Sequence, residues 1–374
     1  MKWNWQHRNW PRFIYSKENF VEYEQQFFEK AGVIHGSIQH IDESSQETLK
    51  IDLMSDEALK TSEIEGEILN RDSLQSSIRK QFGLQTDHRK IPPAEQGIAE
   101  IMVDLYKNYH LPLDEKILFN WHRMLTNGRT DLIDIGRFRT HEDPMQVVSG
   151  PLSRPVIHFE APPSKQVPTE MKQFISWFND TEKGGKMELP VLIRAAIAHL
   201  YFECIHPFED GNGRIGRAIS VMSLSQALSR PVLLALSHTI EENKKLYYEA
   251  LERNNKDLKI SDWISYFCET VLKAQDYTQR MIKFIIEKGK FYRRYEGQFN
   301  ERQQKVVERI FNEGIHGFKG GLSAKNYASI TGAPSATTTR DLSKMVEMGA
   351  FRKTGELKST RYFLGIEGWR REDG

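Results

Sequence analysis

An all-α protein, interrupted by one short β-hairpin and followed by a small mixed helix–strand region, is what the sequence predicts. Three observations carry this. Apolar residues recur at helical spacing through most of the chain, as in Phe20, Tyr23 and Phe27 or Met171, Phe174 and Phe178. Only residues 145–159 and 351–363 are β-rich with turn signals inside them. Two apolar runs, 189–202 and 218–228, enclose a twelve-residue polar stretch, 206–217, and so read as helix, tight loop, helix. At 374 residues the chain is long enough for two or three domains. The boundaries read as 1–90 for an N-terminal helical region, 91–290 for the core around that loop, and 291–374 for the C-terminal region.

In order, the chain opens on Trp3, Trp5, Trp10, Phe13 and Tyr15 around Pro11. These aromatics read as packing against the main body, or as a platform for a peptide or nucleotide. A helix starts at 16 and runs past 28. Thr61 and Glu65 are four apart, so they share a helix face, and Gly66 is a stop signal. Read alone, this is a solvated acidic helix end. Ile91-Pro92-Pro93 breaks the pattern before helices 94–108 and 113–125, the second with Asp114 near its start. Residues 145–148 and 155–159 form the hairpin around Ser149, Gly150 and Pro151. Helix 169–179 and the Gly184-Gly185 loop lead to 189–202, apolar nearly all round and therefore buried. His199 within it reads as a packed or hydrogen-bonded core histidine, and Cys204 as buried. Helices follow at 241–253, 260–274, 277–288, 300–312, 322–332 and 335–348, then two strands around Thr354-Gly355-Glu356.

The loop His206-Pro-Phe-Glu-Asp-Gly-Asn-Gly-Arg-Ile-Gly-Arg217 carries the chemistry. Gly211 and Gly213 flank Asn212, which lets the backbone turn tightly and gather its N–H groups into a concavity. The following helix points its positive dipole end the same way. Arg214 and Arg217 are three apart and share a face suited to phosphate oxygens. Asp210 is a hard oxygen ligand that suits Mg²⁺ shared with a nucleotide. His206 is a general base near neutral pH. The competing reading is a glycine-rich helix–helix loop with solvated charges.

These residues match, at every fixed position, the HPFx(D/E)GNGRxxR signature of Fic proteins, and the chain resembles that family. The resemblance implies a mainly helical Fic fold with a hairpin flap and a protein adenylyltransferase moving AMP from ATP to a Ser, Thr or Tyr hydroxyl. By that analogy His206 deprotonates the hydroxyl and Asp210 holds Mg²⁺. Gly211, Asn212 and Gly213 form the anion hole, and Arg214 and Arg217 bind the outer phosphates. Thr61-x-x-x-Glu65-Gly66 resembles the (S/T)xxxE(G/N) inhibitory motif of the subclass with an N-terminal inhibitory helix. It implies that Glu65 pairs with Arg217 and leaves the ATP α-phosphate poorly aligned for attack. The opening resembles a helical domain of unknown function often found ahead of bacterial Fic domains. Gly136-Arg137-Phe138-Arg139 and the hairpin resemble the flap, with Val147 and Val148 as target contacts by strand addition. A Tyr and an Asn eight residues later contact adenine in the family, a spacing that Tyr247 and Asn255 fit. The order of elements after 300 resembles a winged helix-turn-helix, which implies DNA binding, a protein contact or homodimer, or a structural cap.

Composition narrows the classes. Basic and acidic residues balance at 52 and 51, so no global attraction to nucleic acid or membrane follows. Two cysteines make neither a disulfide framework nor a zinc motif. The start lacks a signal-peptide apolar core and no run is long and apolar enough to span a bilayer, so the expected location is cytoplasmic, with no membrane contact. Two other functions compete with the autoinhibited enzyme: a DNA-binding regulator whose core only senses nucleotide, and a de-AMPylase or other phosphate-linked group transferase.

Overall fold

The computed structural model describes residues 2–366 except 87, 88, 152, 153, 317 and 319. The chain divides into two compact units, Met1–Gly36 with Lys50–Thr278 and Ser37–Leu49 with Gln279–Gly374. The helices run α1 Val21–Gln39, α2 Glu43–Ile64, α3 Arg71–Gln81, α4 Pro93–Asn108 and α5 Glu115–Leu125. The hairpin β1 Gln146–Ser149 and β2 Val156–Glu160 follows, then α6 Val167–Asp180, α7 Val191–Ile205 and α8 Asn212–Leu228. After these come α9 Leu236–Glu242, α10 Lys244–Asn254 and α11 Ser261–Arg294. The last elements are α12 Glu301–Asn312, α13 Ala324–Thr331, α14 Ser335–Glu347, β3 Phe351–Thr354 and β4 Arg361–Leu364.

In the first unit α7 is the central helix. Thirteen of its residues are buried, from Leu192 to Ile205, so it is covered on every side, as its unbroken apolar sequence requires. Its first turn is capped from a distance: Glu24 accepts the N–H groups of Val191 and Leu192 at 3.1 and 2.7 Å, which places a carboxylate at the positive helix end. His199 is fully buried, stacked on Trp263 and bonded through Nε2 to the Tyr247 hydroxyl at 2.8 Å. Cys204 is buried and accepts a hydrogen bond from Asn4 Nδ2 at 3.0 Å. The opening aromatics pack inward: Trp10 meets Tyr201 edge-on, and Trp3 meets Phe159 of the hairpin.

Two elements differ from expectation. Helices 260–274 and 277–288 are one continuous helix, α11; no Gly or Pro lies at the expected break, so nothing there stops propagation. Helix α2 is 22 residues long and buries Asp56, Glu57, Thr61 and Ser62. Asp56, Glu57 and Thr61 meet partners distant in sequence, and an amphipathic pattern is therefore weak in this helix.

In the second unit α12, α13 and α14 are followed by the antiparallel pair β3–β4. Asp341 on α14 organises them. It is 3 % exposed and accepts hydrogen bonds from Arg302 Nε at 2.8 Å and the Tyr327 hydroxyl at 3.0 Å.

Candidate functional site

Residues 206–211 turn the chain between α7 and α8. His206 ends α7 in the left-handed region, φ 50°, with its N–H on the Phe202 carbonyl at 2.9 Å. Gly211 precedes α8 at φ 83°, where a Cβ would stand 2.5 Å from Leu125 Cδ2, so both conformation and space demand glycine. Asn212 is buried and braces the turn from inside: its side chain accepts from Phe208 N–H and donates to the Phe208 carbonyl, both at 2.9 Å. Phe208 itself stacks on His122.

Arg139 holds the loop from outside. It is 2 % exposed and donates to the His206 carbonyl at 2.8 Å, while its own N–H bonds the Pro207 carbonyl at 2.9 Å. Glu209 accepts the N–H groups of Ile133 and Asp134, both at 2.9 Å. The rigid turn therefore depends on the α5–β1 segment. Sequence alone places Arg139 within Gly136–Arg139 and assigns it no role.

The His206 ring lies half-buried with Nδ1 3.3 Å from the Glu203 carbonyl. That contact favours a proton on Nδ1 and leaves the Nε2 lone pair free. Burial, reinforced by the charge of Arg139, pulls its pKa down to about 4, so the ring is neutral at pH 7 and able to accept a proton. Beside it, the Glu203 carboxyl is pushed up to about 8 by burial and by the charge of Glu65, and its Oε1 is buried without a hydrogen-bond partner among the described residues.

Helix α8 begins at Asn212, so Gly213, Arg214 and Arg217 all lie in its first two turns. The Arg217 side chain is 1 % exposed and is held by the end of α2. Its Nε donates to Thr61 Oγ1 at 2.7 Å, and its Nη2 to the Thr61 carbonyl at 2.9 Å and to Glu65 Oε1 at 2.7 Å. Burial opposes the charge of Arg217, but Glu65 outweighs it and holds the pKa raised. A Cβ on Gly213 would lie 2.2 Å from Glu65 Oε1. The Glu65 carboxylate thus rests directly on the glycine turn. Gly66, at φ 85°, lets the chain leave α2 there, with the Glu67 N–H returning to the Ser62 carbonyl at 3.0 Å.

Two charged contacts were not expected from sequence. Arg214 pairs with Glu67 at 2.5 Å. Arg129 donates from Nη1 to Asp210 Oδ2 at 2.7 Å and pairs also with Asp131. Burial works to raise the Asp210 pKa, but the Arg129 hydrogen bond and the Arg214 charge hold it below the usual carboxylate range.

Tyr247 and Asn255, the pair expected at adenine, lie at the start and just past the end of α10. Tyr247 is 2 % exposed, with its hydroxyl on His199 Nε2 at 2.8 Å. One position along α10 is about 100° round the helix, and Tyr248 is the exposed neighbour, donating to the Ile64 carbonyl at 3.0 Å. Asn255 is 6 % exposed, donates to the His158 carbonyl at 3.2 Å and keeps a buried Oδ1 with no partner among the described residues. On the hairpin, Val147 and Val148 are 38 % and 51 % exposed. The register shifts between them. His158 contacts Ser149 Oγ within the hairpin at 2.6 Å and ties the hairpin to α10 through Glu252 Oε2 at 2.9 Å.

Residues 112–224 match the model of the Fic/DOC family, so the chain carries a Fic domain there. Residues 3–84 match a domain of unknown function, DUF4172. Over 169 residues the chain is 25 % identical to protein adenylyltransferase fic-1 of Caenorhabditis elegans, an alignment covering 45 % of this chain. It spans 29 % of the length of that relative. A Fic family protein from Desulfovibrio desulfuricans G20 shares the fold at a TM-score of 0.53, with 19 % identity over 95 % of this chain and 98 % of that one. A Fic domain containing signaling protein from Bacteroides thetaiotaomicron does so at 0.51, with 18 % identity over 70 % and 98 %.

Proposed function

We propose that this protein is an autoinhibited adenylyltransferase that moves AMP from ATP to a Ser, Thr or Tyr hydroxyl of a protein. The observation that carries the reading is the contact of Glu65 with Arg217 directly over the Gly211–Gly213 turn. A carboxylate stands where a helix N-terminus and buried guanidinium groups favour a phosphate. The C. elegans relative is named a protein adenylyltransferase, which agrees with it.

In the reaction, the target hydroxyl attacks the α-phosphorus and its proton passes to His206 Nε2. The bond from the α-phosphorus to the bridging oxygen breaks and pyrophosphate leaves. Gly211, whose N–H rests on Asp210 Oδ1 at 2.6 Å without nucleotide, Asn212 and Gly213 would present backbone N–H groups to the phosphates, and Arg214 and Arg217 would hold the outer ones. The single carboxylate Asp210 fits Mg²⁺, which binds nucleotides through one or two carboxylates plus phosphate oxygens; its Oδ2 already carries a cation, the Arg129 guanidinium. When bound, the ion neutralises phosphate charge. Val147 and Val148 offer an exposed edge for an extended target segment, and Asn255 offers its Oδ1 towards adenine. In the resting state Glu65 competes with the γ-phosphate for Arg217, and misalignment of this kind can cost ~10²-fold in rate. Removal of AMP, with Glu65 positioning water, is the alternative chemistry of the same site.

The test is incorporation of α-labelled ATP with Mg²⁺ and candidate target proteins. Labelling that rises in Glu65→Gly and vanishes in His206→Ala supports the proposal. Its absence from Glu65→Gly with every target removes it.

The second unit supports a further reading. Three helices followed by an antiparallel hairpin resemble a winged-helix arrangement, with Arg340, Arg352 and Lys353 exposed. We propose that it contacts DNA or a second copy of the chain. A gel shift with genomic fragments and sedimentation of the full chain separate the two.

A further inference from the structure

We infer that Glu67 is a second carboxylate standing in for an outer phosphate, one that holds Arg214 as Glu65 holds Arg217. It thereby sets how strongly the resting site discriminates against polyphosphates. The inference rests on the reading of Arg214 and Arg217 as phosphate ligands and extends it to a residue outside both sequence motifs.

Its basis is geometric. Gly66 turns the chain at φ 85°, and the two carboxylates flanking it reach two guanidinium groups three residues apart on α8. The Glu67–Arg214 contact is 2.5 Å, and the Arg214 side chain is only 8 % exposed. Arg214 Nε and Arg217 Nη1 are buried and have no partner among the described residues. Each arginine therefore keeps donor capacity beyond the carboxylate it holds, and a tetrahedral phosphate with more acceptor oxygens uses it better.

The two pairs are not equivalent. Arg217 is also held by the hydroxyl and carbonyl of Thr61, so its orientation does not depend on Glu65 alone. Arg214 has Glu67 and, at the longer distance of 3.7 Å, Asp210. Asp210 is itself engaged by Arg129. Glu67 is thus the main neutralising charge on Arg214, and removing it frees that guanidinium for an incoming anion. At 37 % exposure Glu67 lies at the rim, where its side chain can swing out without unfolding the site.

Calorimetric titration of the full chain with AMP, ADP and ATP tests this without requiring turnover. Glu67→Gln and Glu67→Ala should bind ADP and ATP on the order of tenfold more tightly than wild type. AMP, which lacks outer phosphates, should bind as before. If Glu65→Gln tightens ATP but neither Glu67 variant does, the role of Glu67 is overturned and the phosphate reading stands. Equal tightening for AMP overturns it too, because a loosened site then explains the change. If even Glu65→Gln/Glu67→Gln binds ADP and ATP no better than AMP, both the inference and the reading beneath it fall.

Discussion

Replacing Glu65 by alanine should weaken the nucleotide-free protein and strengthen its complex with ATP. The substitution removes a 2.7 Å charge-assisted hydrogen bond to an arginine side chain that is 1 % exposed. Such bonds contribute about 1.5–3 kcal/mol. Glu65 is 29 % exposed, and solvent screening reduces this to about 1–2 kcal/mol. Arg217 keeps both hydrogen bonds to Thr61, so its donors are not all orphaned, but these partners are neutral and the buried charge loses its carboxylate, which places the loss at the upper end of that range. Without nucleotide, Tm should fall by about 2–4 °C. ATP no longer has to displace the carboxylate, so its Kd should drop roughly 5–30-fold, and saturating ATP should raise Tm further in the variant than in wild type. Differential scanning calorimetry with and without ATP and Mg²⁺ measures both. A variant with unchanged Tm and an unchanged ATP-induced rise would show that the carboxylate neither braces Arg217 nor competes with nucleotide.

His206→Ala, placed in the Glu65→Ala background, should cut AMP incorporation by ~10²–10⁴ while calorimetric ATP affinity stays within about twofold; failure to bind ATP would make the residue structural. Because the His206 ring has a pKa of about 4, it stays neutral down to that value, and the labelling rate of Glu65→Ala should be flat between pH 6 and 8. A rate that climbs with a midpoint near 6.5 contradicts this. Glu203 is protonated in the folded state up to about pH 8, whereas the unfolded carboxyl ionises near ~4.3. The folded state therefore binds the extra proton between these values, and this group's contribution to stability declines as pH rises through the window. Glu203→Gln should raise Tm more at pH 8 than at pH 5, and an equal effect at both would contradict the burial account. Asp341→Ala removes the shared acceptor of Arg302 and Tyr327, and should lower the protection of α12 and α13 against hydrogen exchange; unchanged protection would refute its organising role.

The candidate site was legible where local chemistry has few alternatives. A Gly-Asn-Gly turn between two apolar runs admits little besides a tight helix–helix loop, and two arginines at i and i+3 share a face wherever a helix follows. The buried course of α7 was equally plain, because residues 189–202 leave no polar side to expose. What sequence did not supply are pairings over long separations. Arg129 with Asp210, Arg139 with the His206 carbonyl, and Glu67 with Arg214 join segments 67 to 147 residues apart, and no periodicity encodes them. Helix α2 was obscured for a related reason: its buried face includes Glu57, which accepts the N–H of Ser237 at 2.8 Å, and Asp56, which contacts His238 at 3.0 Å. That Tyr247 is buried and Tyr248 exposed follows from helix phase, which adjacent identical residues cannot reveal. The single helix α11 looks like two in sequence only because its apolar pattern weakens around Gln275 and Asp276.

Intact-mass measurement of the Glu65→Ala chain after incubation with ATP, Mg²⁺ and a panel of target proteins tests the central claim most directly. The account predicts the gain of one adenylyl group on a protein and release of pyrophosphate, both abolished in Glu65→Ala/His206→Ala. Gain of a bare phosphoryl group, or an unmodified panel beside a variant that binds ATP, would contradict it.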